Sequence, residues 1–295
     1  MNKGDLTMVH VLYNPIASNK KGKENAERIR EVITDKPFDF VDATTIGDYN
    51  EYINSIPAED EIVVAGGDGT LNRFANSVDG DKLERKIIYF AAGSGNDFMH
   101  DVESKAKDGM IELNEYMKDL PTVIVNGVEK KFINGIGFGI DGYCCEVGDE
   151  IRKTSDKPVN YTGIAIKGLL FHFKAPNAKV TVDGVEKEYP RVWIAPTMNG
   201  RYYGGGMNVT PEQDRLNPER TVSLGMFYGK GRLKTLMVFP KIFKGEHVKH
   251  TDMFEVLVGR EVTVEFDRPC ALQIDGETVL NVTSYTVKSA VTAKV

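Results

Sequence analysis

Two apolar strand candidates of the chain are each followed directly by a glycine-rich loop and then by a helix-forming segment. Residues 61–65 run into Gly-Gly-Asp-Gly at 66–69, and residues 87–91 run into Gly-Ser-Gly at 93–95. Glycine lacks a Cβ, so such loops can bring the backbone close to a ligand and adopt positive φ angles. In a parallel sheet, loops of this kind meet at the carboxyl ends of the strands, where ligands bind. The pattern therefore predicts an α/β domain with a ligand site at that edge.

The rest of the N-terminal part continues the alternation of strand and helix signals. Strands are predicted at residues 8–13, 38–41, 61–65 and 87–91, and helices at 23–33, 48–56, 70–78 and 96–102. This order is typical of a parallel sheet covered by helices on both faces. We therefore expect residues 1–121 to form an α/β domain.

After about residue 121 the signals change to paired strands. Asn126-Gly127 and Asp183-Gly184 each separate two short apolar runs, which is typical of tight hairpins. Further strands are predicted at 192–195, 222–227, 255–258, 262–266, 271–274 and 284–287, with helices at 159–173 and 233–243. Residues 122–295 are thus expected to form a mainly antiparallel β domain, whose last strand could return to the first domain.

Composition excludes several classes of protein. The chain of 295 residues carries a formal net charge of −6, which disfavours a nucleic-acid partner because such domains are usually basic. The longest apolar region, 161–173, is shorter than a membrane span and contains Lys167, and the N-terminus lacks a secretory pattern. The three cysteines show no metal-binding spacing and indicate reduced thiols. We expect a cytoplasmic protein, with peripheral contact at the inner membrane face as the one membrane alternative.

The loop at 66–69 suits a phosphate group. A helix begins directly after it, and a helix start offers unpaired N–H groups and a partial positive charge. A carboxylate does not bind an anion, so Asp68 in such a loop indicates Mg²⁺ or an attacking hydroxyl group. The alternative is a tight structural turn, which rarely needs three glycines and an acid.

A second loop, 93–97, ends in Asn96 and Asp97 and has the same character. Its structural alternative is a helix cap formed by these two residues. The Asn14-Pro15 pair at the end of the first predicted strand falls on the same edge of the sheet. The sequence contains no GxxxxGK[ST] loop, no GxGxxG after a strand and no protein-kinase motif set, so the common nucleotide folds that carry them are excluded.

In this combination the motifs resemble the diacylglycerol kinase catalytic-domain family, which includes bacterial lipid kinases, sphingosine kinases and ceramide kinases and is distantly similar to NAD kinases. The resemblance rests on GGDGT at 66–70, GSGND at 93–97, the Asn-Pro turn, FINGIGFGID at 132–141, GGGM at 204–207 with Pro211, and QIDGE at 273–277. It implies ATP- and Mg²⁺-dependent phosphorylation of a lipid hydroxyl, with diacylglycerol converted to phosphatidic acid, and a role in phospholipid biosynthesis. It implies an NAD kinase-like first domain that binds nucleotide and a second domain that binds substrate.

The resemblance also assigns roles to individual residues. It implies that Asp275 and Glu277 supply the catalytic base from the second domain, in an order left open, and that Asp68 takes part in catalysis. Asp68 and Asp97 would meet the Mg²⁺ that accompanies ATP. The implied nucleotide contacts are Asn14, Pro15, Thr44, Gly66, Gly67, Asp68, Gly69, Thr70, Leu71, Asn72, Gly93, Ser94, Gly95, Asn96 and Asp97.

Two segments depart from the family pattern. After Asn-Pro the family often has a small residue and glycine, whereas this chain reads Ile-Ala-Ser-Asn at 16–19. After Pro211 the family often has an Asp-Asp-Gly run that binds a structural magnesium, whereas this chain has Asp214 followed by Arg-Leu-Asn-Pro at 215–218. Asp214 is then the one candidate ligand, and the structural metal site is in doubt.

The acceptor is left open by the sequence. A helix at 233–243 with basic and apolar side chains could lie on an anionic membrane, or could pack on the sheet with a solvated basic face. Kinases for a soluble acceptor, as in NAD kinase, or for a sphingoid base are alternatives, and so is a nucleotide-binding regulator without turnover. An extracellular adhesion protein is opposed by the α/β half. A homodimer is also compatible with the sequence.

Overall fold

Two compact units make up the chain, Met1–Asp119 and Leu120–Val295. A computed structural model describes residues 7–93, 95–155 and 159–290. In this part of the chain, no helix is long and apolar enough to cross a membrane.

The first unit contains a five-stranded sheet and short helices. Its strands are β1 (Val9–Tyr13), β2 (Phe38–Asp42), β3 (Glu61–Gly66), β4 (Ile87–Ala91) and β5 (Met110–Glu112). Its helices are α1 (Ala17–Lys20), α2 (Gly22–Glu27), α3 (Tyr49–Ser55), α4 (Asp68–Ser77), α5 (Asp97–Val102) and α6 (Asn114–Met117), with 3-10 turns at Arg28–Glu31, Gly80–Lys82 and Glu103–Lys105.

The sheet order is β2-β1-β3-β4-β5, and the first four strands are parallel. The βαβα signals therefore predicted the α/β class of this unit. The edge strand β5 runs antiparallel to β4, so the sheet is mixed rather than purely parallel. A short return strand of three residues has little apolar pattern, which is why sequence did not reveal it.

Apolar side chains cover both faces of this sheet. On one face Val9, Val11, Val63 and Phe90 pack with Ile29, which follows helix α2. Elsewhere in the unit, rings meet edge to face: Tyr49 with Phe74, and Phe98 with both Tyr89 and Tyr116. Burial on both faces is typical of parallel strands. The parallel pairing of β3 with β4, with Gly66 opposite Ala91, places their carboxyl ends side by side.

The second unit is dominated by antiparallel pairing. Its strands are β6 (Thr122–Val125), β7 (Val128–Lys131), β8 (Gly135–Phe138), β9 (Ala178–Val182), β10 (Val185–Tyr189), β11 (Thr197–Met198), β12 (Tyr202–Tyr203), β13 (Met207–Asn208), β14 (Val222–Phe227), β15 (Phe254–Gly259), β16 (Glu261–Ile274) and β17 (Glu277–Lys288). The large sheet runs β15-β14-β11-β8-β16-β17-β6-β7, with β9 joining β10 to β16. The mainly antiparallel β class expected for this half is confirmed.

Asn-Gly and Asp-Gly turns connect the hairpins as expected. Asn126-Gly127 joins β6 to β7 and Asp183-Gly184 joins β9 to β10, and all four residues have positive φ. The final strand β17 pairs with β16 and β6 inside this unit. The expectation that the last strand returns to the first domain is therefore wrong for the described residues.

The helices of this unit differ most from expectation. Helix α7 (Ile140–Thr154) was not predicted, and it contains Cys144 and Cys145. The predicted helix at 159–173 is α8 (Tyr161–Lys167) followed by a π-type turn, Gly168–His172. The one at 233–243 is α9 (Arg232–Val238) and then 3-10 turns at Phe239–Lys244 and Glu246–Lys249, because Pro240 lacks the N–H that an α-helix needs. Residues 192–195 form only a bridge at Ile194.

Candidate active site

The two glycine loops of the first unit lie against each other. A Cβ placed on Gly67 would come within 3.0 Å of the Gly93 Cα, and one placed on Gly93 would overlap the Gly67 backbone. The Ala92 N–H donates to the Gly66 carbonyl at 2.9 Å and closes the gap between the strand ends. Glycine at both positions is thus a requirement of close backbone approach.

Asp68 links the two loops. Its Oδ2 accepts the N–H of Asp97 and its Oδ1 accepts the N–H of Phe98, both at 3.0 Å. These are N–H groups of the first turn of α5, which have no partner inside the helix, so Asp68 caps α5 from a neighbouring loop. Because each carboxylate oxygen has two lone-pair directions, the two hydrogen bonds by themselves do not preclude a contact with Mg²⁺ or a hydroxyl group.

Asn96 closes the second loop on itself. Its side chain accepts the Gly93 N–H at 3.1 Å and donates to the Gly93 carbonyl at 2.8 Å. Asn96 has a left-handed backbone with φ of 51°, which asparagine tolerates better than most residues. Asp97 follows and is buried. Ser94, a predicted nucleotide contact, lies outside the described residues.

Other predicted nucleotide contacts line a small cavity next to these loops. Asn14 and Thr70 line it together with Arg73, and the remaining walls are Leu12, Ala43, Tyr49, Val64 and Phe74. Thr44 lies beside it in sequence, and its hydroxyl donates to Asp42 Oδ1 at 2.6 Å. Sequence reasoning missed Arg73. Its position three residues after Thr70 on α4, which places both on one helix face, was the available signal.

In the second unit, Asp275 sits at a hairpin turn. Asp275 and Gly276 join β16 to β17 with φ of 45° and 91°, the signature of a two-residue turn with positive φ. The Asp275 carboxylate accepts three backbone N–H groups, from Ile133 at 2.6 Å, Asn134 at 2.9 Å and Gly135 at 3.0 Å. Hydrogen bonds of this kind favour the ionised form of a carboxylate. Three hydrogen bonds therefore fix the Asp275 carboxylate in position.

Glu277 has a different environment. Its carboxylate is 57% exposed and forms an ion pair with Lys130 at 2.9 Å. An exposed pair of this kind contributes little to stability. The two acids of the predicted catalytic pair thus differ: one is held by the backbone and the other is accessible at the start of β17.

The backbone turn that Asp275 binds is held from its other side by Arg215. The buried guanidinium of Arg215 donates to the Ile133 carbonyl and to Asn134 Oδ1, both at 3.2 Å. Asn199 adds a hydrogen bond to the Ile133 carbonyl at 2.9 Å. The segment 133–135 therefore lies between two side chains. The Arg215 guanidinium binds its oxygen acceptors, and the Asp275 carboxylate binds its N–H groups.

This arrangement does not fit the structural magnesium that the family resemblance implied. Asp214 Oδ1 accepts the Leu216 N–H at 2.9 Å and shapes its own turn. The next side chain is a buried guanidinium, whereas a magnesium site needs oxygen ligands. No group of three or more His, Cys, Asp and Glu residues in 7–93, 95–155 and 159–290 could hold a metal ion.

Asp141 is the last residue of the FINGIGFGID segment at 132–141, and the sequence analysis assigned no role to it. Asp141 lies in the first turn of α7. Burial raises the pKa of its carboxyl to about 6. Hydrogen bonds from the Tyr203 hydroxyl and the Gly142 N–H act in the opposite direction and lower the pKa. The Tyr203 hydroxyl donates to its Oδ2 at 2.8 Å. The signal that the sequence offered was an aspartate at the end of a glycine-rich segment.

Comparison with known proteins assigns both halves of the chain. Residues 8–126 match the diacylglycerol kinase catalytic domain, and residues 134–291 match the YegS C-terminal NAD kinase beta sandwich-like domain. A diacylglycerol kinase of Mycobacterium tuberculosis (strain H37Rv) is 28% identical over 223 residues, covering 71% of this chain and 67% of that protein. A Bacillus subtilis (strain 168) protein named "Putative lipid kinase YtlR" is 25% identical, with 78% and 77% covered.

A solved structure shares the fold. The crystal structure of a diacylglycerol kinase from Bacillus anthracis str. Sterne superposes with a TM-score of 0.59 at 18% identity, covering 96% of this chain and 94% of that one. The fold and the two family matches together define a lipid kinase. The chain belongs to the diacylglycerol kinase catalytic-domain family, with a YegS-type C-terminal domain.

Proposed function

We propose that the protein transfers the γ-phosphoryl group of ATP, in the presence of Mg²⁺, to the hydroxyl group of diacylglycerol and so forms phosphatidic acid. The observation that carries this proposal is the contact of the Gly67 and Gly93 backbones, held together through Asp68. Gly67 and Gly93 carry no side chain at this junction, so their backbone N–H groups can approach phosphate oxygens, and α4 begins there with its positive end.

The residues of the loops divide the work of binding. Backbone groups at 66–70 and 93–97 would hold the phosphates, and Asn14, Thr70 and Arg73 line the adjoining cavity. Asp68 and Asp97 are the carboxylates at this edge that would hold Mg²⁺. The ion, bound with ATP, would neutralise phosphate charge during transfer.

Deprotonation of the acceptor is assigned to the second unit. The acceptor hydroxyl must lose a proton as the phosphoryl group arrives, and a carboxylate within hydrogen-bond reach can accept it. Three backbone N–H groups hold the Asp275 carboxylate in position, and Glu277 is the more exposed carboxylate. We propose Asp275 as the base and Glu277 as its neighbour, acting at the cytoplasmic face of a membrane.

A radiolabelled-ATP assay against a panel of acceptors tests the proposal. The panel holds diacylglycerol, a sphingoid base and a polyprenol in mixed micelles, and NAD in solution. We expect label to appear in phosphatidic acid, and the Asp275→Asn variant to lose turnover on the order of a hundredfold or more. Labelling of NAD instead would establish the soluble-acceptor alternative. ATP binding with no product from any acceptor would establish the regulator.

The chain offers a matched control for the Asp275 variant. Asp183 also occupies the first position of an Asp-Gly hairpin turn with positive φ. Its carboxylate also accepts backbone N–H groups, from Arg260 at 2.9 Å and Glu261 at 2.8 Å. Asp183→Asn should therefore carry a similar cost in stability while leaving turnover unchanged. Equal turnover in both variants would remove Asp275 as the base, and a large loss in Glu277→Gln would transfer the role to Glu277.

A further inference from the structure

Large apolar side chains are exposed on two segments of the second unit, α8 with its π-type turn and α9 with the 3-10 turn that follows. Phe171 is 72% exposed, Leu233 71% and Met237 69%, and Ile166 and Phe243 are also exposed. We call these five side chains, with the exposed Lys167, Lys174, Lys241, Lys244 and Lys249, the basic apolar face.

The two segments adjoin each other. The Arg232 guanidinium, at the start of α9, donates to the Leu169 carbonyl at 2.6 Å and also reaches the Gly168 carbonyl at 3.5 Å. The opposite sides of the same elements are already used for packing, since Leu169, Val238 and Ile242 are buried in one cluster with Trp193. The exposed apolar side chains are therefore separate from the apolar side chains that these helices bury in the core, and packing in the core does not explain them.

Charge identifies the occupant of this face. Residues 159–175 and 230–251 contain eight Lys and Arg residues and a single acid, Glu246, in a chain whose net charge is −6. Asp252 pairs with Lys230 and Lys234, but Lys241, Lys244 and Lys249 have no carboxylate ion-pair partner in the described part of the chain. Protein interfaces are depleted of lysine at their centres, whereas lysines around exposed Phe, Leu and Met side chains are typical of binding to an anionic bilayer surface.

We propose that the basic apolar face seats the protein on an anionic phospholipid bilayer, with Phe171, Leu233 and Met237 inserted below the headgroups and the lysines among the phosphates. The proposed function supplies the reason for such a face, because diacylglycerol lies in a membrane. The binding itself involves neither ATP nor turnover.

Vesicle co-sedimentation without nucleotide or diacylglycerol tests the face directly. Vesicles of phosphatidylcholine with phosphatidylglycerol are compared with pure phosphatidylcholine vesicles. We expect the Phe171→Ser/Leu233→Ser/Met237→Ser variant to partition at least about tenfold more weakly into the anionic vesicles. The Lys241→Gln/Lys244→Gln/Lys249→Gln variant should lose about tenfold or more, and only on anionic vesicles.

The matched control carries three exposed apolar residues from strands of the same unit. Val185, Val258 and Leu280 are 73%, 57% and 50% exposed, and they lie outside the two segments. The Val185→Ser/Val258→Ser/Leu280→Ser variant should bind anionic vesicles as the wild-type protein does. Equal binding by the face variants and this control, or no binding of the wild-type protein to anionic vesicles, would overturn the proposal. So would a face variant that dissociates a dimer in sedimentation while its vesicle binding is unchanged.

A second assay separates this proposal from the proposed function. In detergent micelles with a short-chain diacylglycerol, no bilayer has to be bound, and the face variants should keep wild-type turnover. Lost vesicle binding with kept micellar turnover supports the face. Vesicle binding that depends on the face, with no kinase activity in either system, would contradict the proposed function and leave the face established.

Discussion

Asp68 has a structural role in addition to the chemical role that we propose for it. Its two carboxylate oxygens accept the N–H groups of Asp97 and Phe98, so the second glycine loop is held in place by the first. Replacing it changes the cap of α5 as well as any contact with Mg²⁺. A loss of activity on substitution can therefore come from the lost cap or from the lost Mg²⁺ contact. Two substitutions, one that removes both acceptor oxygens and one that keeps one of them, separate these causes.

We expect Asp68→Ala to lower the free energy of unfolding by about 1–2 kcal/mol, since two N–H groups lose their acceptor. Asp68→Asn keeps one acceptor oxygen and should recover part of that loss. Both variants should lose kinase turnover, because neither side chain carries the negative charge proposed to hold Mg²⁺. The measurements are denaturant unfolding and the radiolabelled-ATP assay. A folded, fully active Asp68→Ala protein would contradict the role of the loop.

Arg215 leads to a second prediction at this scale. Its guanidinium binds the acceptors of the turn whose donors bind Asp275. We expect Arg215→Lys to lower kcat about tenfold with little change in the KM for ATP. A lysine cannot form both hydrogen bonds, and the loops proposed to bind ATP belong to the first unit. Arg268→Lys, at an exposed arginine paired with Asp267, is the control. If Arg215→Lys raised the KM for ATP by the same factor by which it lowered kcat, a specific effect on Asp275 would be contradicted.

At the scale of elements, α1 departs from helical geometry. Ser18, Asn19 and Lys20 have φ of 52°, 56° and 67°, the left-handed region that costs L-residues roughly 1–2 kcal/mol each. This is the segment where the family often has glycine. We expect Ser18→Gly to raise the free energy of unfolding by about 0.5–1 kcal/mol.

A paired substitution checks that prediction. Lys23 lies in α2, where glycine should lower stability by about 1 kcal/mol. Thermal unfolding of Ser18→Gly and Lys23→Gly should thus give shifts of opposite sign. A loss of stability in both would show that the left-handed turn is not strained.

The 3-10 turn Glu246–Lys249 carries a pH-dependent element, His247. Its ring is fully buried beside Phe254, Nε2 donates to the Val209 carbonyl at 2.9 Å, and burial lowers its pKa to about 4. A histidine whose folded pKa is lowered stabilises the fold above its unfolded pKa of about 6.5 and loses that contribution as the pH falls towards 4. Unfolding free energy should fall by about 3 kcal/mol over this range.

Urea unfolding at several pH values measures this loss. His247→Gln keeps an N–H donor for Val209 but does not titrate, so its stability should change much less between pH 6.5 and pH 4. His172, which is exposed and is not among the groups that act on the pKa of His247, is the control position, and His172→Gln should keep the wild-type pH dependence. Parallel curves for all three proteins would place the titrating group elsewhere.

Sequence predicted the elements whose signals are local. Alternating apolar runs and the Asn126-Gly127 and Asp183-Gly184 turns indicated the hairpins, and the two glycine loops were placed at the ends of β3 and β4. Helix α7 was missed because the glycine-rich run before it resembles a continuing hairpin. There Gly139, with φ of 118°, turns the chain out of β8, and Gly142 lets α7 approach the Ala271 carbonyl. Such packing depends on strands far away in sequence.

The same limit applies to the site. Asp68 was singled out from its loop, but its cap on α5 depends on a contact between residues about thirty positions apart. Arg215 was seen only as a break in a metal-binding pattern. Its hydrogen bonds to the turn at 133–134, which lies more than eighty residues earlier, could not be predicted from spacing.

Across the whole molecule, charge is distributed unevenly. The chain is acidic overall, yet the two segments of the basic apolar face carry a large excess of lysine and arginine. An anionic membrane therefore attracts one region and repels the rest. Salt shortens the Debye length from about 10 Å at 0.1 M to about 3 Å at 1 M, so it weakens both the attraction and the repulsion. If added salt weakens binding, attraction controls it; if added salt strengthens binding, repulsion controls it.

For the wild-type protein we expect added salt to weaken binding to phosphatidylglycerol vesicles, since attraction at the face lies nearest the headgroups. In the Lys241→Gln/Lys244→Gln/Lys249→Gln protein the net charge is three units more negative than −6, and the apolar side chains remain. Its weaker binding should change little with salt or increase, because mainly repulsion is left to screen. Co-sedimentation between 0.05 M and about 0.5 M NaCl measures both curves. Identical downward slopes would mean that cations outside the face bind the membrane.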